Sequence, residues 1–462
     1  MALKVTEIAR VRPATDSVLS RSTVDSVSLH LTFFDLMWIR FHPVERVFFY
    51  RLTELTRESF DSVVLPKLKR SLSLVLLHYI PLAGRITWDP QESKPSIVAS
   101  RNDAVSVTVA ETDADFDHLS GDEQRQETEV RELVPELPAS DDSASVVSLQ
   151  ITLFPNQGFC IGMTAHHSVL DGKTASMFIK SWAHICNRER GSEVFDSLPD
   201  DLSPCFDRTV IKYPTGLDTK MLELLSSILK DKSKARSLKP LPGREISSEV
   251  VRVTLELTRE DIEKLRERVK NESSSQDYYH LSTFVVTYAY VWTCMVKARG
   301  GGADTSACLG FVADFRDRLN PPSPATYFGS CVFPVGCYDA NTGAFSEENG
   351  FITAVKILSD LVKRLGSRGI EEIFEEMVEG ARRLKPDTKL GSVAGSTRLG
   401  FYGSDFGWGK PVKVEVVSID QNGAFSLAER RDETGGVEIG LCLEKSEMEK
   451  LVSFFRNGLT PK

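Results

Sequence analysis

An unbroken run of apolar residues over 158–165 stands out in the pattern of hydrophobic and polar positions along the chain. The run is too short for a core helix and lacks the alternation of a half-exposed strand, so it predicts a strand that is buried on both faces. A second apolar stretch covers 146–154, and the turn residues between the two runs predict that the strands pair antiparallel. The pattern thus predicts a buried hairpin in the first half of the chain.

Two histidines follow directly on the second strand of this hairpin. His166 and His167 come where the apolar run stops, and Asp171 with Gly172 forms a turn dipeptide. The residues after it have helical spacing, which predicts a helix over 173–187 with Asp171 at the N-cap. A junction of strand, turn and helix is a place where α/β proteins tend to carry chemistry, so it is the first candidate site.

The remaining pattern mixes strands and helices in both halves of the chain. Further helices are predicted over 60–76, 281–298, 351–365, 370–384 and 446–455, and another begins at a capping-box sequence at 258–261. Strands are predicted near 47–50, 250–257, 308–314, 392–399, 412–419, 424–428 and 436–443, with a pair at 96–100 and 105–109. The acidic segment 111–129 is predicted to be a loop.

Weak periodicity and several prolines between about 187 and 247 indicate a linker. We therefore expect an N-terminal domain at 1–190, a crossover linker at 191–247 and a C-terminal domain at 248–462. A length of 462 residues, with 41% hydrophobic and 26% charged residues, is sufficient for two globular domains.

Charge and cysteine usage narrow the classes of partner and compartment. The formal net charge of -9 provides no global basic field, which argues against nucleic acid and anionic membranes as partners. The first residues alternate like a strand and lack a signal-peptide core, so no export is expected. Eight cysteines without a CxxC pair indicate reduced thiols in the cytosol and no zinc site.

His167 and Asp171 by themselves allow two interpretations. A histidine that titrates near neutrality can take a proton from an alcohol or amine, while Asp171 holds the loop and the ring tautomer. Alternatively, Asp171 only caps the helix and the histidines satisfy backbone groups. A metal site is disfavoured because no third ligand stands at a fixed spacing. The residues alone leave the first two interpretations open.

Two further motifs invite a catalytic interpretation that their context does not support. The segment 158–162 imitates a nucleophile elbow with Cys160 in place of serine, but the strand continues past it, so Cys160 is predicted to be a core residue. The Asp-Phe-Gly triplet at 405–407 lacks the other kinase motifs. With the Trp-Gly that follows, it describes a tight loop closed by a large ring.

The His-x-x-x-Asp-Gly motif at 167–172 and the Asp-Phe-Gly-Trp-Gly motif at 405–409 together resemble the plant BAHD acyltransferases. That family moves acyl groups from coenzyme A thioesters to alcohols or amines. The resemblance covers essentially the full length. Within the family the chain is most similar to the anthocyanin and phenolic-glucoside malonyltransferases, in the segments 31–35, 42–46, 81–85 and 327–331. Ser330 stands where this clade usually has asparagine.

The resemblance implies an α/β fold of two chloramphenicol-acetyltransferase-like domains, each a mixed β-sheet flanked by helices, with the active-site channel at their interface. It implies that His167 deprotonates the acceptor hydroxyl as it attacks the thioester, without an acyl-enzyme, because one channel holds both substrates. Asp171 is expected to point away from the reacting atoms and to form a salt bridge with Arg316. Asp405 belongs to the catalytic set through its motif, although its loop is expected to shape the channel rather than touch substrate.

Coenzyme A carries phosphates, which an acidic protein must meet with local donors. The resemblance assigns Ser282 and Thr283, at the start of helix 281–298, where the helix dipole favours anions. If the donor is malonyl, its carboxylate also needs a cation, for which Arg40, Lys173 and Arg398 are candidates. With Arg316, these residues make up the predicted cofactor-binding set.

The resemblance implies malonyl transfer from malonyl-CoA to a sugar hydroxyl of a phenolic or flavonoid (anthocyanin) glucoside. The alternative is a hydroxycinnamoyl-CoA donor with the same acceptors. A non-catalytic relative that binds phenolic ligands is disfavoured, because His167, Asp171 and the 405–409 loop are intact. We expect acyl-CoA as a co-substrate, no permanently bound cofactor, no metal, no nucleic-acid or membrane partner, and a monomer in the cytosol.

Overall fold

The computed structural model describes residues 2–14, 26–188, 197–229, 231–243, 246–273, 279–421, 423–432 and 434–459. The strands in these ranges are β1 (Leu3–Val11), β2 (Ser26–His30), β3 (Val44–Arg51), β4 (Arg85–Thr87), β5 (Ser96–Ser100), β6 (Val105–Thr112), β7 (Arg125–Gln126), β8 (Ser143–Ser145), β9 (Val147–Phe154), β10 (Gly158–Ala165), β11 (Val250–Leu257), β12 (Ser306–Asp314), β13 (Val332–Asn341), β14 (Lys389–Gly391), β15 (Val393–Ser396), β16 (Lys413–Val416), β17 (Phe425–Glu429) and β18 (Val437–Glu444). The α-helices are α1 (Phe33–Leu36), α2 (Arg57–Ser59), α3 (Leu65–His78), α4 (Phe116–Ser120), α5 (Glu127–Arg131), α6 (Gly172–Arg188), α7 (Leu217–Ser227), α8 (Arg259–Glu272), α9 (Thr283–Arg299), α10 (Gly343–Ser346), α11 (Gly350–Arg364), α12 (Ile370–Arg383) and α13 (Lys445–Asn457).

The predicted hairpin forms the centre of a six-stranded mixed sheet with the order β1-β6-β9-β10-β3-β16. Phe154 lies opposite Gly158 in the antiparallel pair of β9 and β10, which confirms the hairpin. Every residue of both strands is buried, as the unbroken apolar runs predict. Helices α3 and α6 contact each other, and their buried residues belong to the main hydrophobic core. The predicted strand and helix on either side of the two histidines are therefore both present.

A second sheet, in the order β15-β17-β18-β11-β7, belongs mostly to the C-terminal half. Helices α8, α9 and α13 pack together beside it. The predicted buried helix 281–298 is confirmed as α9, and thirteen of its residues, at 285–296 and 298, are buried. Within the described ranges, no helix is long and apolar enough to cross a bilayer.

Each half of the chain contributes an edge strand to the sheet of the other half. β16 pairs antiparallel with β3, so that Val414 lies opposite Phe48 in the first sheet. In return, β7 pairs with β11 in the second sheet. The Glu415 carboxylate on β16 accepts hydrogen bonds from the buried guanidinium groups of Arg125, at 2.8 Å, and Arg252, at 3.4 Å. The domain boundaries at 190 and 248 remain predictions, but the two halves are interlocked.

The two strands predicted at 96–100 and 105–109 are confirmed as β5 and β6, which lie in different sheets. One prediction in the first half of the chain is wrong. The acidic segment 111–129 is not a loop, since it contains α4, β7 and the start of α5. Phe116 and Leu119 of α4 are buried in a small core beside the sheet, and this burial outweighs the charges around them.

The described part of the predicted crossover linker contains a helix and packs on the rest of the chain. Positions 191–196 lie outside the described residues. Further along, α7 packs Leu217 and Met221 into the core. The segment near 239–241 is held to the first half by a hydrogen bond from the Leu241 amide to the Arg40 carbonyl. This part of the chain is therefore packed on the first half.

Candidate active site

The two histidines lie in a tight turn that joins β10 to α6. The His166 amide donates to the Val146 carbonyl at 2.9 Å, while its own carbonyl accepts from the amides of Val169 and Leu170. Asp171 Oδ1 accepts from the Thr174 amide at 2.9 Å, so Asp171 caps α6 as predicted. These hydrogen bonds define the backbone conformation from which His167 projects.

Aromatic packing orients the His167 ring. The ring stacks on Trp38 with a centroid separation of 4.1 Å and an interplanar angle of 9°, and Phe41 meets it edge-on at 5.5 Å. Trp38 is itself fixed, because its Nε1 donates to the Val332 carbonyl in the C-terminal half at 3.2 Å. His167 is half-buried, whereas His166 is only 4% exposed. Of the two histidines, His167 is the one that a substrate can reach.

The surroundings of His167 keep its ring neutral at physiological pH. Burial lowers the pKa of His167 to about 4, and the nearby charges of His42 and Arg46 act in the same direction. Its own backbone carbonyl and the Asp171 carboxylate oppose the shift without cancelling it. A neutral imidazole has a free lone pair, so His167 can accept a proton. In His166, by contrast, the Nδ1 lone pair is already used, because it accepts a hydrogen bond from the Ser168 amide at 3.3 Å.

Asp171 and Arg316 form the predicted salt bridge. Arg316 Nη1 lies 2.7 Å from Asp171 Oδ2, and both side chains are 1% exposed. The Cys331 amide donates to the same oxygen at 3.1 Å. Burial alone would raise the pKa of Asp171, but the Arg316 guanidinium and these hydrogen bonds hold it below its ordinary value. Both carboxylate oxygens are thus committed to protein donors and face away from the reacting atoms, as expected.

The remaining contacts of Arg316 tie the two halves of the chain together beneath the site. Its Nη2 donates to Thr174 Oγ1 at 3.2 Å and to the carbonyls of Tyr327 and Gly329 at 3.3 and 3.1 Å. The residue is fully buried. This geometry favours a role for Arg316 in positioning the turn that carries His167. Binding of coenzyme A by Arg316 stays a prediction, which these contacts do not favour.

The 327–331 segment is anchored by Asp35, a residue that sequence reasoning missed. The Ser330 amide donates to Asp35 Oδ1 at 2.9 Å, and Thr32 donates to Oδ2 from its amide and its hydroxyl, both at 2.8 Å. Asp35 is completely buried. A carboxylate inside the apolar stretch 31–38 was the available signal, because a buried acid needs partners of this kind.

The structure does not bring Asp405 to His167, so its catalytic assignment is corrected. Asp405 Oδ1 accepts from the amides of Gly407 at 2.7 Å and Gly409 at 3.0 Å, which closes the loop on itself. Trp408 meets Phe159 edge-on at 5.9 Å. Phe159 lies near the opposite end of β10 from His167, eight residues or roughly 26 Å along an extended strand. Asp405 therefore stabilises its own loop, in agreement with the expectation that this loop does not touch substrate.

Ser282 and Thr283 lie at the N-terminus of α9, as predicted. Ser282 Oγ accepts from the Val285 amide at 3.3 Å and caps the helix. Thr283 Oγ1 accepts from Arg266 Nη2 at 2.9 Å. Both residues are half-buried and stand beside a cation. Their contact with coenzyme A stays a prediction, to which the structure adds Arg266 as a neighbour.

The three predicted cations for a carboxylate have different surroundings. Arg40 donates from Nε to the Lys239 carbonyl at 2.9 Å and from Nη1 to the Lys234 carbonyl at 3.1 Å, so it holds the crossover segment. Lys173 is half-buried at the start of α6, and Arg398 is exposed in the next segment after β15. Their role in binding a carboxylate stays a prediction.

The chain is similar to known proteins along nearly its whole length. A model of a family described as "Transferase family" matches residues 4–457. The chain is a BAHD acyltransferase. Phenolic glucoside malonyltransferase 2 of Arabidopsis thaliana is 58% identical to this acyltransferase over 99% of the chain and 100% of its own length. Agmatine coumaroyltransferase of the same plant is 50% identical, with coverage of 98% and 99%.

Among solved structures, vinorine synthase matches the acyltransferase with a TM-score of 0.70 at 19% identity, and the match covers 98% of each chain. This likeness confirms the predicted α/β fold of two chloramphenicol-acetyltransferase-like domains. It extends over both halves of the acyltransferase. The resemblance that rests on the motifs at 167–172 and 405–409 is therefore correct at the level of family and fold.

Proposed function

We propose that this acyltransferase transfers malonyl from malonyl-CoA to a sugar hydroxyl of a phenolic or flavonoid glucoside. The observation that carries the proposal is the neutral, half-buried His167 ring, stacked on Trp38 and placed where the two halves of the chain meet. The relative at 58% identity is named for malonyl transfer to phenolic glucosides, and this supports the choice of donor and acceptor.

Nε2 is the ring nitrogen of His167 that serves as the base. Nδ1 is buried, so it cannot meet a substrate hydroxyl. The acceptor hydroxyl gives its proton to Nε2 while its oxygen attacks the thioester carbonyl carbon. The tetrahedral oxyanion then collapses, the carbon–sulfur bond breaks, and the thiolate takes the proton from the imidazolium. The products are the acyl ester and free coenzyme A, and His167 returns to its neutral form.

The lowered pKa of His167 suits the second half of this cycle. An imidazolium in a site that disfavours charge passes its proton readily to the leaving thiolate. No covalent acyl-enzyme is required, because both substrates are held side by side. Cys160 is fully buried in β10, and burial raises the pKa of its thiol to about 12, so it does not compete as a nucleophile.

A second candidate donor is a hydroxycinnamoyl-CoA. The relative named as a coumaroyltransferase is 50% identical to this chain, so the donor class changes among relatives at this level of identity. We propose malonyl as the first choice of acyl group because the relative with the higher identity is named as a malonyltransferase. We propose further that the enzyme acts as a monomer in the cytosol.

A thiol-release assay tests the proposal. The purified enzyme is given malonyl-CoA, acetyl-CoA or coumaroyl-CoA together with a naphthol glucoside or a flavonoid glucoside. The highest kcat/KM is expected for malonyl-CoA, with the mass of the product raised by one malonyl group. A preference for coumaroyl-CoA would establish the second candidate. Absence of thiol release with every donor would refute acyl transfer and favour a ligand-binding protein.

A further inference from the structure

Arg46 is a buried cation that forms no salt bridge among the described residues; burial lowers the pKa of Arg46 to about 10, and the charge of Glu429 offsets this shift only in part. It lies on β3 and is 5% exposed. Its guanidinium rests on the Phe401 ring, 4.4 Å from the centroid. Within the part of the chain that the structure describes, no residue accepts a hydrogen bond from it, and its Nε is among the buried atoms without a partner. A buried guanidinium is costly unless an anion and hydrogen-bond acceptors surround it.

A small cavity adjoins this guanidinium at the interface of the two halves. Its volume is about 20 Å³, and besides Arg46 its walls include Ser396, Phe401, Ser426 and Glu429. A water molecule needs roughly 10–15 Å³ by the same measure, so the cavity has room for one or two oxygen-sized groups. The first sheet supplies Arg46, and β15 and β17 of the second sheet supply the two serine hydroxyls. The cavity thus offers a cation and hydroxyl donors to a small anion.

The charges around the cavity favour an anionic occupant. Glu429 does not form an ion pair with Arg46, and its Oε1 accepts from the Tyr402 amide at 3.4 Å. Lys180 is close enough to Glu429 for the carboxylate to act on its pKa. Lys180 is not in the cavity wall, and its Nζ donates to the Leu399 carbonyl at 2.7 Å, but together Arg46, Lys180 and Glu429 carry one net positive charge that an anion would neutralise.

Arg46 also lies close to the catalytic histidine. In the pairing of β3 with β10, Arg46 is opposite Met163 and Val44 is opposite Ala165, two residues before His167. Because side chains alternate along a strand, Arg46 projects from the same sheet face as Phe48, which packs against Phe401. The positive charge of Arg46 acts on the His167 ring. By this register Arg46 is four residues, or roughly 13 Å along an extended strand, from His167, and its long side chain brings its charge within range of the ring.

We propose that Arg46 binds the free carboxylate of a dicarboxylic acyl donor and so selects malonyl-CoA over acyl-CoAs without a second acid group. This inference rests on the proposed malonyl transfer and names the residue that determines it. A guanidinium can present two parallel N–H groups to the two carboxylate oxygens, with Ser396 and Ser426 as further donors. Arg46 is then a specificity residue, while the proton transfer remains with His167.

The test compares two donors in an Arg46→Gln variant. Loss of the buried charge is expected to lower kcat/KM for malonyl-CoA by roughly a hundredfold, with the loss mainly in KM, while kcat/KM for acetyl-CoA stays within a few-fold. Arg51→Gln is the matched control, because Arg51 is at the far end of the same strand and pairs with Asp117 on the surface. The control should keep the wild-type ratio of the two donors. An equal loss for both donors in Arg46→Gln would overturn the proposal.

A Ser396→Val variant reaches the same cavity from the other sheet and covers the case in which Arg46→Gln does not fold. Filling the cavity should lower kcat/KM for malonyl-CoA and spare acetyl-CoA, whereas an unchanged ratio would overturn the proposal. The wild-type enzyme separates this inference from the function on which it rests. If the wild-type enzyme transfers only coumaroyl, the proposed malonyl transfer and the role of Arg46 are both refuted. If it transfers malonyl and the variants keep the wild-type ratio of the two donors, only the role of Arg46 is refuted.

Discussion

Breaking the ion pair between Asp171 and Arg316 is expected to destabilise the enzyme strongly. The pair is 1% exposed on both sides, and removal of one partner from such a pair costs about 3–5 kcal/mol. In an Asp171→Asn variant, Arg316 keeps Asp314 at 3.1 Å, but the Asp314 side chain is 39% exposed and water screens its charge. We therefore expect a loss of about 3 kcal/mol in the free energy of unfolding.

The measurement is a double-mutant cycle of Asp171→Asn and Arg316→Met, followed by urea unfolding at neutral pH with circular dichroism and tryptophan fluorescence. Because the two residues act on each other, the double variant should be more stable than the sum of the single losses predicts, by about 2 kcal/mol. The exposed pair Arg383 and Asp339, at 2.8 Å, is the control and should show less than about 1 kcal/mol of coupling. Equal coupling energies in the two cycles would refute a special role for the buried pair.

The same pair has a defined pH dependence. The ordinary pKa of an aspartate is 3.8, and Arg316 holds that of Asp171 below this value in the folded protein. A group with a depressed folded pKa contributes stability above its unfolded pKa, and the contribution is lost as the pH falls through the folded pKa. The stability difference between wild type and Asp171→Asn should therefore be constant at neutral pH and shrink below about pH 4. A difference that shrinks near neutrality would contradict this assignment.

Three further predictions concern the site. His167→Ala should lower kcat by about 10²–10⁴-fold with an unchanged unfolding transition, and retention of most of the activity would contradict the general base. In the pH profile of kcat/KM, the acid limb should lie near the lowered pKa of about 4, because only the neutral His167 ring accepts a proton. Trp38→Ala exposes the ring and should move this limb towards neutrality. A wild-type limb near pH 6.5 would contradict the lowering of the pKa by burial. Asp405→Ala should reduce the free energy of unfolding by about 1 kcal/mol, since the exposed amides of Gly407 and Gly409 lose their acceptor and water replaces it in part, and leave the acid limb in place.

The hairpin and the site turn are predictable because their signals are local. The apolar runs over 146–154 and 158–165 specify two buried strands, and Asp171 followed by Gly172 specifies a helix start within a few residues. Nothing beyond neighbouring residues is needed for these elements. The partnership of Asp171 with Arg316 is different, because only the resemblance of the motifs connects residues so distant in sequence.

Elements defined by distant partners are not predictable in the same way. The two-residue strand β7 is too short to show periodicity, and it is a strand only because β11 offers an edge. β16 lies within the predicted strand 412–419, but its pairing with β3 of the other half is not visible in the sequence. Arg46 was missed for a related reason. Its charge within an apolar strand is visible in the sequence, but the cavity beside it is formed by residues of β15 and β17, which are distant in sequence.

The exchange of edge strands also constrains how the enzyme is made. The sheet that carries His167 is complete only when β16, at 413–416, pairs with β3. During synthesis from the N-terminus, the first half therefore waits with the edge of β3 open until most of the second half has left the ribosome. We therefore expect that neither half folds stably when it is expressed alone, because each would leave a sheet edge unpaired and Arg125 and Glu415 would be separated from each other.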